Sequence, residues 1–296
     1  MKPGVYFLLI SACSIAVQSQ EPAASEPVRQ ERVPIYRVTV ERRAIRAVNY
    51  GHRSVPTRID FRGTVLLPRA KGGAKVEARA GAVEIDAKFE NLEAPARFGP
   101  EYLTYVLWAI TPDGRPVNLG ELLTDGSDSS KLKVTTQLQA FGLIVTAEPY
   151  FAVTQPSNVV VLENMLRPDT VGKVEEIEAK YELLPRSQTP LSDRPVEMQA
   201  PSNGGKRISL DEYEALLAIY QAQNALQIAR AQGAGEHAAS TLQRAEQLYQ
   251  EAQRLNNIKA DSKSVVMTAR QAAQAAEDAR TIAAKHAGVI SSSRQR

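Results

Sequence analysis

Residues 102–164 read YLTYVLWAITPDGRPVNLGELLTDGSDSSKLKVTTQLQAFGLIVTAEPYFAVTQPSNVVVLEN and contain Trp108, the only tryptophan of the chain. Three apolar runs rich in Val, Ile, Tyr and Phe lie in this stretch, at 105–110, 141–147 and 159–162. Pro-Asp-Gly at 112–114, Asp-Gly-Ser at 125–127 and Gln-Pro-Ser at 155–157 separate them. Each run therefore reads as a buried strand closed by a turn, and together they predict the core of an antiparallel β-sandwich.

Period-two patterning extends this reading in both directions. Upstream, Ile35, Arg37 and Thr39 alternate with Tyr36, Val38 and Val40, and Ile59, Phe61, Val65 and Leu67 recur around Gly63. Val83, Ile85, Ala87 and Phe89 then alternate with Glu84, Asp86, Lys88 and Glu90. Downstream, Ile177, Ala179, Tyr181 and Leu183 alternate with Glu178, Lys180 and Glu182. Half-buried strands have this pattern, and the spacing predicts roughly eight of them within a sandwich over residues 35–185.

Residues 186–207 (RSQTPLSDRPVEMQAPSNGGKR) are polar and rich in proline and glycine, which reads as a linker at a domain boundary. Beyond it the period becomes helical. Ser209 followed by Glu212 is a capping box, and Ile208 with Tyr213 is placed as its hydrophobic staple. Ala218, Ala222, Ala225 and Ala229 line one face of a first helix, which Gln232-Gly233-Ala234-Gly235 ends. A second helix is expected from Glu236 to Asn256 with Leu242, Ala245, Tyr249 and Ala252 on its inner face. A third, capped by Asp261 or Ser262, carries the seam Val265, Ala269, Ala272, Ala276, Ala279 and Ala283. Small residues at such spacing let helix axes approach closely, so residues 208–287 predict an alanine-rich antiparallel hairpin or three-helix bundle. A methyl-only face buries little area per residue, so these helices must be long or find a partner. Their outer faces carry Gln221, Gln223, Gln227, Gln243, Gln247, Gln250 and Gln253. Residues 288–296 are expected to be a disordered tail. The fold class is thus β plus α in separate domains.

The start of the chain speaks to compartment. Lys2 precedes an apolar run over residues 5–17, and small residues near Ser19 suit cleavage, so residues 1–19 read as a signal peptide, followed by a disordered spacer at 20–34. The run is shorter than the ~20 residues that span a bilayer, so the mature chain is expected to have no transmembrane helix. Cys13, the only cysteine, lies in Ile10-Ser11-Ala12-Cys13, which resembles a lipobox. It is either lipidated at a new N-terminus or removed with the signal, and in both cases no disulfide forms.

The whole chain has 36 basic and 33 acidic residues, a net charge of +3 that does not mark a nucleic-acid binder. Residues 20–69 are uneven, with ten arginines against five acids. Arg37, Arg42, Arg43 and Arg46 are the candidate interaction residues of this basic face, whose simpler reading is a solvated, aggregation-resistant strand edge. The helical segment is nearly neutral, which suits protein contact or spacing.

Signals for chemistry are sparse. His52, His237 and His286 have no partner histidine at one-turn spacing, so no metal site is expected. Residues 124–128 (TDGSD) read as a hairpin turn rather than a calcium loop. Glu148 lacks a paired carboxylate, and no serine elbow or phosphate-binding glycine loop occurs. Tyr102, Tyr105, Trp108, Tyr150 and Phe151 fit core packing better than a glycan-stacking face. No catalytic residue and no cofactor are expected.

Two resemblances add to this reading. Tyr105-x-Leu107-Trp108, Asp113-Gly114, Leu119-Gly120, Phe141-Gly142-Leu143-Ile144-Val145-Thr146-Ala147-Glu148-Pro149 and Gln155-Pro156-Ser157 resemble the extracytoplasmic domain of anti-sigma-K-type factors. That resemblance implies an Ig-like sandwich used for sensing or interaction. The spacing Ala225-x-x-x-Ala229-x-x-x-Gly233-Ala234-x-x-x-Ala238, Leu242-x-x-Ala245 and Ala272-x-x-x-Ala276-x-x-Ala279 is similar to an uncharacterised family of alanine-rich helical domains in bacterial envelope proteins, often found before OmpA-like domains. The two-part chain resembles envelope proteins of acidobacterial type. Together these features predict a non-enzymatic exported protein in the periplasm or at the outer-membrane periphery of a Gram-negative bacterium. The sandwich would contact an envelope component, such as peptidoglycan or the outer membrane, and the helices would bind a protein partner or another copy. The rival is a periplasmic sensor related to anti-sigma extracytoplasmic domains and working with a membrane partner.

Overall fold

The computed structural model describes residues 45–50, 56–124, 128–165, 167, 174–177 and 209–293. The signal segment with Cys13, the spacer, Arg37, Arg42, Arg43, His52 and the linker at 186–207 lie outside these residues, as does the centre of the 124–128 turn.

Ten strands are described: β1 (Ile45–Asn49), β2 (Thr57–Gly63), β3 (Lys71–Arg79), β4 (Ala82–Glu90), β5 (Thr104–Ile110), β6 (Pro116–Leu122), β7 (Ser130–Thr136), β8 (Ala140–Glu148), β9 (Val160–Met165) and β10 (Val174–Ile177). Every pairing is antiparallel, and all ten belong to one sheet. From β6 the order runs through β5, β8, β9, β2, β3 and β4 to β7, and β7 lies beside β6 without pairing to it. The sheet thus rolls into a nearly closed barrel, where a sandwich of two facing sheets was expected. β1 pairs with the start of β8, through Val48 opposite Phe141, and holds β10 on its other side. This places Arg46 in register with Glu176.

Side-chain alternation divides the buried strand residues between two cores. Tyr105, Leu107 and Ala109 of β5 point into the barrel with Phe141, Leu143, Val145 and Ala147 of β8, joined there by Ile59, Phe61, Ile85 and Phe89. Val106, Trp108 and Ile110 point outward, as does Ile144. Outward residues of a sheet normally meet water, yet every residue of β5 is buried. The helices are what cover them.

The helices are α1 (Leu210–Ala231), α2 (Ala234–His237), α3 (Ala239–Asn257) and α4 (Ser262–Ser293). The Glu212 amide donates to the Ser209 hydroxyl at 3.2 Å, which caps α1 where the capping box places its start. Gly233 sits in the left-handed region at φ 81°, the conformation glycine adopts without cost, and turns the chain into α2. The second expected helix is therefore split, a single turn at 234–237 standing before α3. The Ser264 amide donates to Asp261 at 3.2 Å and so caps α4. α4 continues through 288–293, part of the expected tail, because no proline interrupts the pattern there.

α1 and α3 are antiparallel, and α4 packs against both. All six residues of the α4 seam, Val265 to Ala283, are buried, as are Ala218, Ala222, Ala225 and Ala229 of α1. The same apolar cluster continues into Val106, Trp108, Ile110, Ile144, Tyr150 and Val160 of the sheet region. The two segments that the sequence divides at 186–207 thus share one core, within a compact unit spanning Val38–Arg296. Large side chains of the sheet fill the space that alanine methyl groups leave. Among the described residues no helix is long and apolar enough to cross a membrane.

Candidate functional site

The segment that follows β8 joins sheet to helices. Pro149 cannot donate to a ladder, so the strand ends at Glu148. The buried Glu148 carboxylate accepts from the Thr146 hydroxyl and the Ser157 amide, both at 2.6 Å. Thr146 in turn accepts the Trp108 indole N–H at 2.8 Å. Ser157 Oγ donates to the Ala147 carbonyl at 2.7 Å, which ties the far end of the loop back to β8. Glu148 is thus held by hydroxyl and amide donors and serves as a structural anchor.

A register shift in the β5–β6 ladder, where Leu107 pairs with Gly120 and Trp108 with Asn118, leaves Leu119 as the extra residue. Gly120 takes φ 142° there, open to glycine and strained for other residues. Asn118 Nδ2 donates to the carbonyls of Phe151 and Val153, both at 2.8 Å, and fixes the crest of the loop. Asn224 of α1 reaches the carbonyls of Glu101 and Pro149 at 3.0 and 3.2 Å.

Two ion pairs then bind the helices to this frame. Glu277 of α4, fully buried, accepts from the Tyr150 hydroxyl at 2.6 Å, the Thr154 amide at 2.8 Å and the Thr154 hydroxyl at 2.6 Å. Arg280, one turn later, meets both Glu277 oxygens, Nε at 2.6 Å and one terminal nitrogen at 2.7 Å. It also donates to Thr154 Oγ1 at 2.9 Å and to Gln232 Oε1 at 3.1 Å. Burial works against the Arg280 charge, but the Glu277 carboxylate outweighs it and holds the guanidinium pKa above its ordinary value. Nearer the helix starts, Glu121 of β6 accepts from Gln221 Nε2 at 2.5 Å and from Arg270 at 2.7 Å. The Arg270 guanidinium lies 3.8 Å over the Phe151 ring, a cation–π contact. Burial, and then the Glu121 charge, raises the Tyr213 hydroxyl pKa.

Beside this second pair a half-open groove of about 530 Å³ runs between the first turns of α1 and α4. Phe151, Val266 and Met267 supply its apolar surface, with Asp211 and Glu214 on the α1 side and Lys263 and Arg270 on the α4 side. Met267 is 60% exposed, and Leu210 nearby on α1 is 48% exposed. Concave apolar surface with a few charged groups at a junction of elements is the usual setting of a binding site.

The structure redistributes the sequence candidates. Tyr102, Tyr105, Trp108 and Tyr150 are fully buried packing residues, and Phe151 is half-buried beneath Arg270. Gln221, expected on an outer helix face, is only 2% exposed, because sheet and α4 together cover a wider stripe of α1 than the alanine row marks. Glu277, Arg280, Glu121 and Arg270 carried no sequence signal as a site. The i, i+3 spacing of Glu277 and Arg280 is also that of a surface pair, and only its burial distinguishes it. His237 and His286, without partners in the sequence, come together with ring centroids 5.7 Å apart. Among the described residues no three His, Cys, Asp or Glu side chains converge to hold a metal ion. No protein-family model, curated protein or solved structure matches the chain.

Proposed function

We propose that the chain is an exported, non-catalytic interaction module of a Gram-negative cell envelope, and that the groove between α1 and α4 receives its protein partner. The observation that carries this reading is the construction of the groove: apolar surface from the loop after β8 and from α4, set between two acids of α1 and two cations of α4, with Arg270 fixed from behind by buried Glu121. A partner segment that inserts an apolar side chain, with a cation toward Asp211 and Glu214 and an anion toward Lys263, complements it. The apolar run near the N-terminus supports export. The resemblance of residues 105–157 to anti-sigma-K-type extracytoplasmic domains supports an Ig-like kinship of the strands and a recognition role outside the cytoplasm. In this reading the barrel-like sheet is the rigid body, and the helices present the groove.

The test places a photocrosslinking residue at Met267 in intact cells, alongside fractionation and mass measurement of the mature N-terminus. The expected result is a chain processed near residue 19 or at Cys13, and one discrete protein adduct that Asp211→Lys or Lys263→Glu reduces at least about tenfold, since like charges in an interface reject the partner. A cytoplasmic, unprocessed chain contradicts the envelope assignment. Adducts indifferent to both charge reversals contradict the groove, and adducts that sediment with peptidoglycan give the surface to the cell wall instead.

A further inference from the structure

A second cleft, apart from the groove at the first turns of α1 and α4, lies between α1 and α3. We propose that it binds a neutral saccharide, one or two sugar rings of a glycan. α1 and α3 each pack more closely on α4 than on each other, because the alanine seam of α4 admits both, and a furrow is left where the two helices face each other. Leu216, Ile219, Tyr220 and Gln223 line it on successive turns of α1, and Tyr249, Gln253, Asn256 and Asn257 on successive turns of α3. Gln223 and Gln253, expected on outer helix faces, therefore line one volume of about 330 Å³. That is the low end of the roughly 300–1,000 Å³ range of small-molecule sites, a size for a mono- or disaccharide rather than for a helix.

The lining points to the class of ligand. Two phenols, four carboxamides and two aliphatic side chains make up the wall, with no charged group among the described residues. An ionic ligand finds no counter-charge there. Arg230 bonds Glu246 across the two helices at 2.7 Å, and Arg254 bonds Glu251 at 2.7 Å, so the charges flanking the cleft neutralise each other. A sugar ring has weakly polar C–H faces and a rim of hydroxyls that both donate and accept. Aromatic and aliphatic side chains suit the faces, and carboxamides, which carry donors and an acceptor, suit the rim. Tyr220 and Tyr249 are half-buried, which leaves part of each side chain open. Gln253 Nε2 donates to the Tyr249 hydroxyl at 2.9 Å, so that oxygen keeps its own proton to give. Burial, and then the neighbouring Tyr220 phenol, raise the Tyr249 pKa, and the hydroxyl stays a neutral donor at physiological pH. An extended peptide is the competing occupant, since carboxamides also bond main-chain amides. The cleft runs only ~10 Å along α1 from Leu216 to Gln223, about three residues of extended chain, and its paired phenols favour a ring.

The purified full chain is tested by saturation-transfer NMR and calorimetry against N,N′-diacetylchitobiose, cellobiose and the neutral peptide acetyl-trialanine amide. The proposal expects transfer to the ring protons of at least one disaccharide, with an affinity that does not change from low to high salt, since no ion pair forms. A response to the acetamido sugar alone assigns the cleft to an amino-sugar glycan, and a response that includes cellobiose assigns it to a hexose glycan. Gln253→Ala and Asn257→Ala, both at exposed positions, should each weaken binding at least about threefold, and Tyr249→Ala at least about tenfold. Gln243→Ala, an exposed amide of α3 outside the cleft, should leave binding unchanged. Circular dichroism checks that each variant is folded. No transfer to either disaccharide at millimolar concentration, sugar binding that survives all three cleft variants, or binding of the peptide alone overturns the site.

Discussion

Glu277→Ala should destabilise the folded chain by about 3–5 kcal/mol, the cost typical of breaking a buried ion pair from one side. The variant leaves Arg280, whose side chain is 4% exposed, without its carboxylate, and deprives the Tyr150 hydroxyl and both Thr154 donors of their acceptor. Desolvated donors that lose their charged acceptor add to the penalty. Glu277→Leu combined with Arg280→Met removes both charges and should restore a large part of the loss, because a buried pair is often replaceable by apolar side chains of similar volume. Equilibrium unfolding in urea measures both variants. A cost under about 1 kcal/mol for Glu277→Ala would mean that water reaches the pair, as it does for a surface ion pair.

Trp108→Ala is expected to cost about 3–5 kcal/mol, as truncation of a buried aromatic generally does. Trp108 is fully buried on the outward side of β5, among the residues that meet the helices. Alanines make up most of the helical part of that cluster and are too short to fill the void. Loss of the indole also leaves the Thr146 hydroxyl without that donor while it still donates to Glu148. Trp108→Phe should cost less, since most of the ring volume stays. Circular dichroism in denaturant checks the pair, with the helical signal expected to fail at the same denaturant concentration as the sheet.

The elements themselves were legible wherever a local rule governs them. Ser209 caps α1 and Asp261 caps α4 because capping is settled within four residues. The α4 seam reads correctly because a row of alanines at helical spacing, with polar residues between, fits an inner face. What covers the outer side of the sheet is not local. The run at 105–110 has the same composition whether a second sheet or a helical layer lies over it, and here the cover is helical. For that reason the sandwich expectation gave way to a barrel-like sheet under a helical layer. The sheet–helix contacts are not legible in the sequence for a related reason. Gln221, Asn224 and Glu277 are polar residues at buried positions, which satisfy loop carbonyls, amides and hydroxyls that a helical pattern does not reveal. The pairing of His237 with His286 likewise depends on the turn at Gly233 and on the reach of α4.

The central claim is that sheet and helices share one core. Unfolding of the wild-type chain followed by two probes tests it most directly: Trp108 fluorescence, which reports the sheet–helix contact, and far-ultraviolet circular dichroism, which the helices dominate. Coincident transitions with a single midpoint are the predicted result. Loss of helix at lower denaturant while Trp108 keeps its buried emission would contradict the account, because the helices would then be a separate unit resting on a sheet that does not need them.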